Sequence, residues 1–154
     1  MPKQSQLDET YLRMANLWGL LSKAKRKQVG CLIVKNGQII SDGYNGTPAG
    51  YDNTCEFVNE GFLERAENKL QTKPEVLHAE SNALMKLAKS TNSSDGCTIY
   101  LTMSPCFDCA KLIIQAGVKR VVYSEAYRNT SGVDFLRKNN IKCKKLTVTE
   151  EVRI

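Results

Sequence analysis

At 154 residues the chain reads as one domain, 1–154, large enough to bury a real core. Its 42% hydrophobic and 25% charged residues are ordinary for a soluble globular protein, and no apolar run approaches a membrane span. The net charge of +6 suggests an anionic partner, nucleic acid or phosphorylated small molecule, although a solvated basic surface accounts for most of it.

Apolar residues at Leu7, Tyr11, Met14, Leu17, Trp18 and Leu21 have helical spacing, which predicts an amphipathic helix from Leu7 to Leu21. A basic linker, Lys23 to Lys27, follows. Val29 to Val34 is nearly continuous in apolar residues and reads as a buried strand. Asn36-Gly37 is a two-residue hairpin turn, with the return strand from Gln38 to Gly43. Gly43 to Gly50 is too rich in Gly and Pro for regular structure and reads as a loop over a site. Tyr51 to Lys73 is an inserted segment with a helix expected from about Glu56 to Leu70, closed by Pro74. Its apolar residues Phe57, Val58, Phe62, Leu63 and Leu70 must pack on the parent domain or on a neighbouring subunit.

The next helix carries His78 and Glu80 and runs to about Lys89. Thr98–Thr102 is a strand leading to a helix that starts at Cys106 and stops at Ala116-Gly117. Lys119–Tyr123 is a strand, Gly132–Lys138 a short helix and Cys143–Val148 a last strand. This order predicts an α/β fold, a three-layer α/β/α sandwich with a mixed five-stranded sheet. The first two strands form an antiparallel hairpin, and the last three are parallel. The six cysteines are scattered through apolar segments and form no disulfide framework, and the N-terminus has no signal-peptide character. A reducing cytoplasm is the expected compartment.

Two short stretches carry chemistry: His78-Ala79-Glu80 and Pro105-Cys106-Phe107-Asp108-Cys109. A catalytic zinc usually takes three protein ligands and leaves a fourth position for water. His78, the only histidine in the chain, with Cys106 and Cys109 supplies three. The two cysteines are i and i+3, so at a helix start both sulfurs face the same way. Free N–H groups at that helix start favour thiolate over thiol. Two thiolates, a neutral imidazole and Zn²⁺ carry no net charge, which preserves the Lewis acidity of the metal. Glu80, two residues from His78, is placed beside the metal and free of it, as a general acid/base must be.

Other readings account for less. A C-x-x-C after a strand could be a thioredoxin-like redox pair, but that leaves His78 and Glu80 unexplained. A structural Cys3His site needs a fourth ligand from Cys31, Cys55, Cys97 or Cys143, and none stands at a finger-like spacing.

The H-x-E … P-C-x-x-C pattern is a known signature of zinc-dependent deaminases. The chain resembles the cytidine deaminase superfamily, and within it most closely the deoxycytidylate (dCMP) deaminases. The similarity covers about Leu12 to Leu146. Softer marks are Arg26-Lys27-Gln28-Val29-Gly30, Gly43-Tyr44-Asn45-Gly46 and His78-Ala79-Glu80-Ser81-Asn82-Ala83. The resemblance implies hydrolytic deamination of dCMP to dUMP, supplying precursor for thymidylate synthesis, with one catalytic zinc per chain. It casts Glu80 as the group that takes a proton from the attacking water and delivers protons to N3 and the leaving amine.

By the same resemblance Asn45 binds the sugar hydroxyl and Arg26 the 5′-phosphate, with Lys27 able to take its place. Asn45 also reads as a turn residue tolerating a left-handed backbone, and Arg26 as a solvated surface cation. Ala79 and groups near Ser104 would hold the pyrimidine edge. Tyr123 packs near the substrate or in the core. The resemblance further implies a homohexamer activated by dCTP and inhibited by dTTP, with Gly43, Tyr44, Asn45 and Gly46 in an effector loop. Some members hold a second, structural zinc through a cysteine before the first strand and extra histidines. Here that segment is Lys23-Ala24-Lys25 and there is one histidine, so no such site can be built.

Three alternatives keep the same zinc set. One is a tRNA or single-stranded nucleic-acid deaminase, which needs a basic groove with stacking aromatics, whereas aromatics are only 7% here. Another is a guanine- or pterin-type small-molecule deaminase. The third is a non-catalytic zinc-stabilised binding module, which has no use for Glu80.

Overall fold

The computed structural model describes residues 1–58 and 70–148. Helix α1 spans Gln4–Gly19, beginning a turn earlier than the apolar periodicity indicates because the Gln6 side chain accepts the Lys3 backbone N–H at 2.8 Å. Strands β1, Gly30–Lys35, and β2, Gln38–Tyr44, are joined at Asn36-Gly37. Both turn residues have positive φ, 51° and 75°, as a type I′ hairpin requires.

Helix α2 is Ala79–Ala88, β5 is Thr98–Met103 and α3 is Phe107–Gln115. Strand β6 is Arg120–Glu125, α4 is Ser131–Lys138 and β7 is Lys142–Lys145. Sheet order is β2-β1-β5-β6-β7. Strand β1 runs antiparallel to β2 and to β5, while β5, β6 and β7 are parallel, as expected. Strand β7 starts one residue early and stops at Lys145. Beyond it Leu146 still donates its N–H to Tyr123 O at 2.8 Å, and Leu146 and Val148 pack toward α1.

The central strands read as apolar runs because helices cover both faces. Cys31, Ile33, Ile99, Leu101, Val121 and Tyr123 point to the side of α2, α3 and α4. Leu32, Val34, Tyr100 and Val122 point to the other side, against Leu12 and Ala15 of α1. These are the three layers. Tyr123 therefore belongs to the core, 6% exposed, and not to a substrate pocket.

Helix α1 is also held by a buried charge. Asp8, fully buried, accepts hydrogen bonds from Gln4 Nε2 at 2.9 Å, Tyr100 Oη at 2.7 Å and Arg120 Nη1 at 2.8 Å. Burial pushes its carboxyl up, but the Arg120, Tyr100 and Gln4 hydrogen bonds outweigh this and hold it at about 2.

The insert differs from the helix expected over Glu56–Leu70. Its two ends are strands, β3 at Glu56–Val58 and β4 at Leu70–Thr72, paired antiparallel as a separate two-stranded sheet. Residues 59–69, the middle of that predicted helix, lie outside the described residues. The pairing is closed by Lys73 N–H donating to Cys55 O at 2.8 Å, a contact that local periodicity cannot reveal.

Candidate active site

His78 and Cys106 occupy equivalent places, each the N-cap of a helix that leaves the sheet on the same side. Both have extended backbone, and their carbonyls open the helices by accepting from Asn82 N–H and Ala110 N–H, each at 2.9 Å. An N-cap side chain commonly bonds its own helix. Neither does so here; they turn toward each other instead. Cys109 follows one turn into α3, which brings its sulfur to the same point.

His78 Nδ1 lies 3.5 Å from Cys106 Sγ and 3.4 Å from Cys109 Sγ. A tetrahedral zinc with Zn–N near 2.0–2.1 Å and Zn–S near 2.3 Å demands N···S edges of about 3.5–3.6 Å, so these residues fit that ion. Glu80 Oε1 is 3.8 Å from His78 Nδ1, and the candidate ligand atoms of all four residues fall within 4.8 Å of one another. Hydrogen bonds from Cys109 and His78 hold the Cys106 thiol down at about 4. The Cys106 sulfur and burial push Cys109 up, and the Cys106 contact raises His78. A soft-ligand dication bound by these groups would displace the protons they carry. Glu80 is 4% exposed, and burial raises its carboxyl above the usual range.

The Cys106 turn is braced from behind. A Cβ on Gly132, at the start of α4, would come within 2.1 Å of Pro105 O, so only glycine lets α4 pack directly on the turn. Phe107 and Phe135 pack beside it with ring centroids 4.9 Å apart and planes tilted by 47°.

A cleft of about 280 Å³ opens at His78, Glu80 and Cys106, near the ends of β5 and β6 where open α/β sheets place their ligands. Arg26, Lys27, Asn45, Ala79 and Ser104 all line it, together with His78, Glu80 and Cys106. Tyr123 does not. Glu56, Thr72 and Tyr127 line it as well, and sequence reasoning gave no hint of them: Glu56 opens the helix expected over Glu56–Leu70, and Thr72 and Tyr127 stand in no motif.

Asn45 is committed to the backbone. Its Oδ1 accepts Val29 N–H at 2.9 Å and its Nδ2 donates to Lys27 O at 2.8 Å. It has no left-handed conformation; among the described non-glycine residues only Asn36 and Asn140 do. The predicted glycine loop is shorter than expected, since Gly43 and Tyr44 belong to β2. Gly43 is close-packed, because a Cβ there would lie 2.4 Å from Ala79 O of α2, and Gly46 pairs with Leu77. Ser104 Oγ accepts Tyr127 N–H at 2.7 Å, tying the two loops at the cleft rim. Lys27 Nζ is paired with Glu125 at 2.6 Å. Arg26 donates to the neutral Thr72 hydroxyl at 3.3 Å, and no carboxylate among the described residues pairs with its side chain.

Metal analysis of the purified chain is expected to return about one zinc per chain. Cys106→Ala and Cys109→Ala should each bring it near zero, since a two-ligand remnant binds weakly. Full zinc occupancy in both variants would put the ion elsewhere.

Residues 5–125 match the family described as the cytidine and deoxycytidylate deaminase zinc-binding region. The chain is 37% identical over 163 residues to deoxycytidylate deaminase of Enterobacteria phage T4, covering 84% of each. It is 39% identical over 155 residues to deoxycytidylate deaminase of Homo sapiens, covering 91% of this chain and 83% of that one. Among solved structures, dCMP deaminase from the cyanophage S-TIM5, in complex with dCMP and dUMP, superposes with a TM-score of 0.82. It is 42% identical, over 94% of this chain and 100% of that one.

Proposed function

The chain belongs to the cytidine and deoxycytidylate deaminase family, and from that premise we propose that it converts dCMP and water to dUMP and ammonia. The observation that carries this reading is a cleft lined by His78, Glu80 and Cys106, with Cys109 completing the ligand triangle, and by Arg26, whose side chain pairs with no carboxylate among the described residues. When held by His78, Cys106 and Cys109, zinc supplies the Lewis acidity that makes water nucleophilic near neutral pH.

Glu80 would take one proton of the water that adds at C4 and pass it to N3, then take the second from the added hydroxyl and pass it to the departing amine. The C4–N4 bond breaks and a carbonyl remains. Burial suits Glu80 to both halves of that transfer, since its raised carboxyl affinity brings acid and base forms closer in energy. The Ala79 N–H, at the first turn of α2, has no partner within the helix and is free to receive the pyrimidine edge, with the Ser104 segment opposite.

Arg26 is the phosphate ligand in this proposal. Lys27 is paired with Glu125, whereas among the described residues no carboxylate pairs with the guanidinium of Arg26, which suits it to a bidentate contact. Asn45 acts by fixing the Lys27–Val29 backbone, with the rest of its amide left for the sugar hydroxyl. Arg26→Ala is expected to raise KM for dCMP tenfold or more, from about 1.5–3 kcal/mol for a charge-assisted pair, and to leave the slow turnover of deoxycytidine unchanged. Ammonia release from dCMP, deoxycytidine, CMP, adenosine and RNA tests the whole reading. Preference for RNA or adenosine would overturn it.

Regulation and assembly belong to the same proposal: a homohexamer, activated by dCTP and inhibited by dTTP. A ligand on the Gly43–Gly46 segment would be felt at the metal. Gly43 abuts Ala79, and Asn82 Nδ2 donates to Tyr44 O at 2.8 Å. Exposed Met14, Leu17 and Trp18 on α1 and Leu21 just beyond it, with Tyr44 against Trp18, offer an apolar face to a second copy. Light scattering and saturation curves with each triphosphate test both points; a monomer with an unmoved hyperbolic curve would sink them. No described helix is long and apolar enough to cross a membrane, and all six cysteines are free, which supports residence in a reducing cytoplasm.

A further inference from the structure

We infer that Glu56 is a positioning residue, whose buried carboxylate holds the Lys25–Arg26 backbone and through it sets the preference for a phosphorylated over an unphosphorylated substrate. The inference rests on the reading of Arg26 as the phosphate contact.

The stretch between Gly19 at the end of α1 and Gly30 at the start of β1 has no helix or strand of its own, so its backbone groups must find partners elsewhere. Two of them find Glu56. Its Oε1 accepts the N–H of Lys25 at 2.8 Å and the N–H of Arg26 at 3.1 Å, from 30 or more residues away along the chain. Glu56 is only 6% exposed, so these bonds are sheltered from water. In the hairpin register Glu56 faces Thr72, and the Thr72 hydroxyl accepts from Arg26 Nη1. One pair of facing residues thus grips Arg26 at both ends, main chain and guanidinium.

Arg26, Glu56 and Thr72 line the same cleft. An arginine side chain samples many rotamers, and fixing its base and its tip before the ligand arrives removes much of the ordering cost of binding. The geometry also decides which groups meet the anion. The Lys25 and Arg26 N–H groups are taken by Glu56, which leaves the guanidinium as the donor on this wall. The β3–β4 pair is in this view a brace for Arg26, and it is not a catalytic element.

The test compares Glu56→Ala, Glu56→Gln, Thr72→Val and Arg26→Ala by two readouts. In steady-state kinetics Glu56→Ala should raise KM for dCMP about tenfold, with kcat within about threefold and the KM for deoxycytidine unmoved. Thr72→Val should raise KM for dCMP about threefold. Glu56→Gln keeps an acceptor oxygen for the two N–H groups and should restore most of the affinity. Placed on Arg26→Ala, Glu56→Ala should add little, since both act on one contact. The second readout is the rise in melting temperature given by inorganic phosphate alone. It should be present in wild type and Glu56→Gln, reduced in Glu56→Ala and absent in Arg26→Ala.

Equal damage to dCMP and deoxycytidine turnover, or a phosphate response untouched by Glu56→Ala, would overturn the inference. A wild type that releases no ammonia from any substrate would defeat the deaminase reading, and the phosphate readout alone would then decide the role of Glu56. Should Glu56→Ala fail to fold, Thr72→Val and Glu56→Gln carry the same comparison.

Discussion

Glu80→Gln is expected to lower kcat by about a thousandfold or more while leaving zinc in place. A positioned acid or base contributes roughly 10²–10⁴ in rate, and here one group is asked to take the two protons of the water in turn and to deliver one to N3 and the other to the leaving amine. Glutamine keeps the size and the hydrogen-bonding shape of the side chain but can neither accept nor release that proton. The three ligand atoms of His78, Cys106 and Cys109 already describe a complete face for the ion, so the amide should not alter metal content. The fold should not suffer, since the native carboxylate is buried and burial disfavours its charge. Melting temperature is expected to be unchanged or higher, as when other strained active-site groups are neutralised. The decisive comparison is metal content, melting and kcat on one preparation. Stoichiometric loss of zinc from Glu80→Gln would make Glu80 a ligand and would leave the proton transfer unassigned.

The largest stability effect should come from Asp8, far from the metal. Asp8→Ala leaves Arg120 and Tyr100 without their buried partner, and breaking one half of a buried ion pair costs about 3–5 kcal/mol. For a chain of this length that is a fall in melting temperature of about 10 °C. Acid offers a second check, and its sign follows from the pKa. The Asp8 carboxyl lies at about 2 in the folded state against 3.8 for its ordinary value. Its contribution is therefore fully present above the unfolded value and is lost as pH falls from about 4 toward 2, an amount on the order of 2 kcal/mol. Wild-type and Asp8→Asn stabilities should converge over that window, measured by urea denaturation at several pH values. A constant gap between the two curves would mean that the pair adds nothing that titrates. The folded fraction of either Asp8 variant should keep its kcat, because α1 covers the face of the sheet away from α2 and α3.

Asp8 also shows where local reading stops. Its partners Tyr100 and Arg120 are 92 and 112 residues away, and nothing in an amphipathic helix pattern distinguishes a buried aspartate from a solvated one. Glu56 is the same case within the cleft. The pattern of the insert reads as a helix from about Glu56, whereas Glu56 and Thr72 face one another in a two-stranded sheet. Asn45 was legible as a cleft residue but not as one tied by both ends of its amide to the backbone. Tyr123 was legible as a strand end, and only the packing of α2 and α3 over β6 shows that it points into the core.

What the sequence determined by itself is what short-range physics controls. Spacing of three and two residues on helix starts sets the His78, Glu80, Cys106 and Cys109 chemistry. Asn36-Gly37 sets the hairpin, and apolar runs between helices set a sheet with a mixed order. The tertiary structure alone decided which distant groups meet: that His78 and Cys106 arrive within 3.5 Å of each other, that among the described residues Arg26 and not Lys27 is left without a carboxylate, and that Glu56 reaches back to the loop before β1. Those pairings are fixed by how the layers pack and by the need of buried polar groups for partners. They carry no periodic trace along the chain.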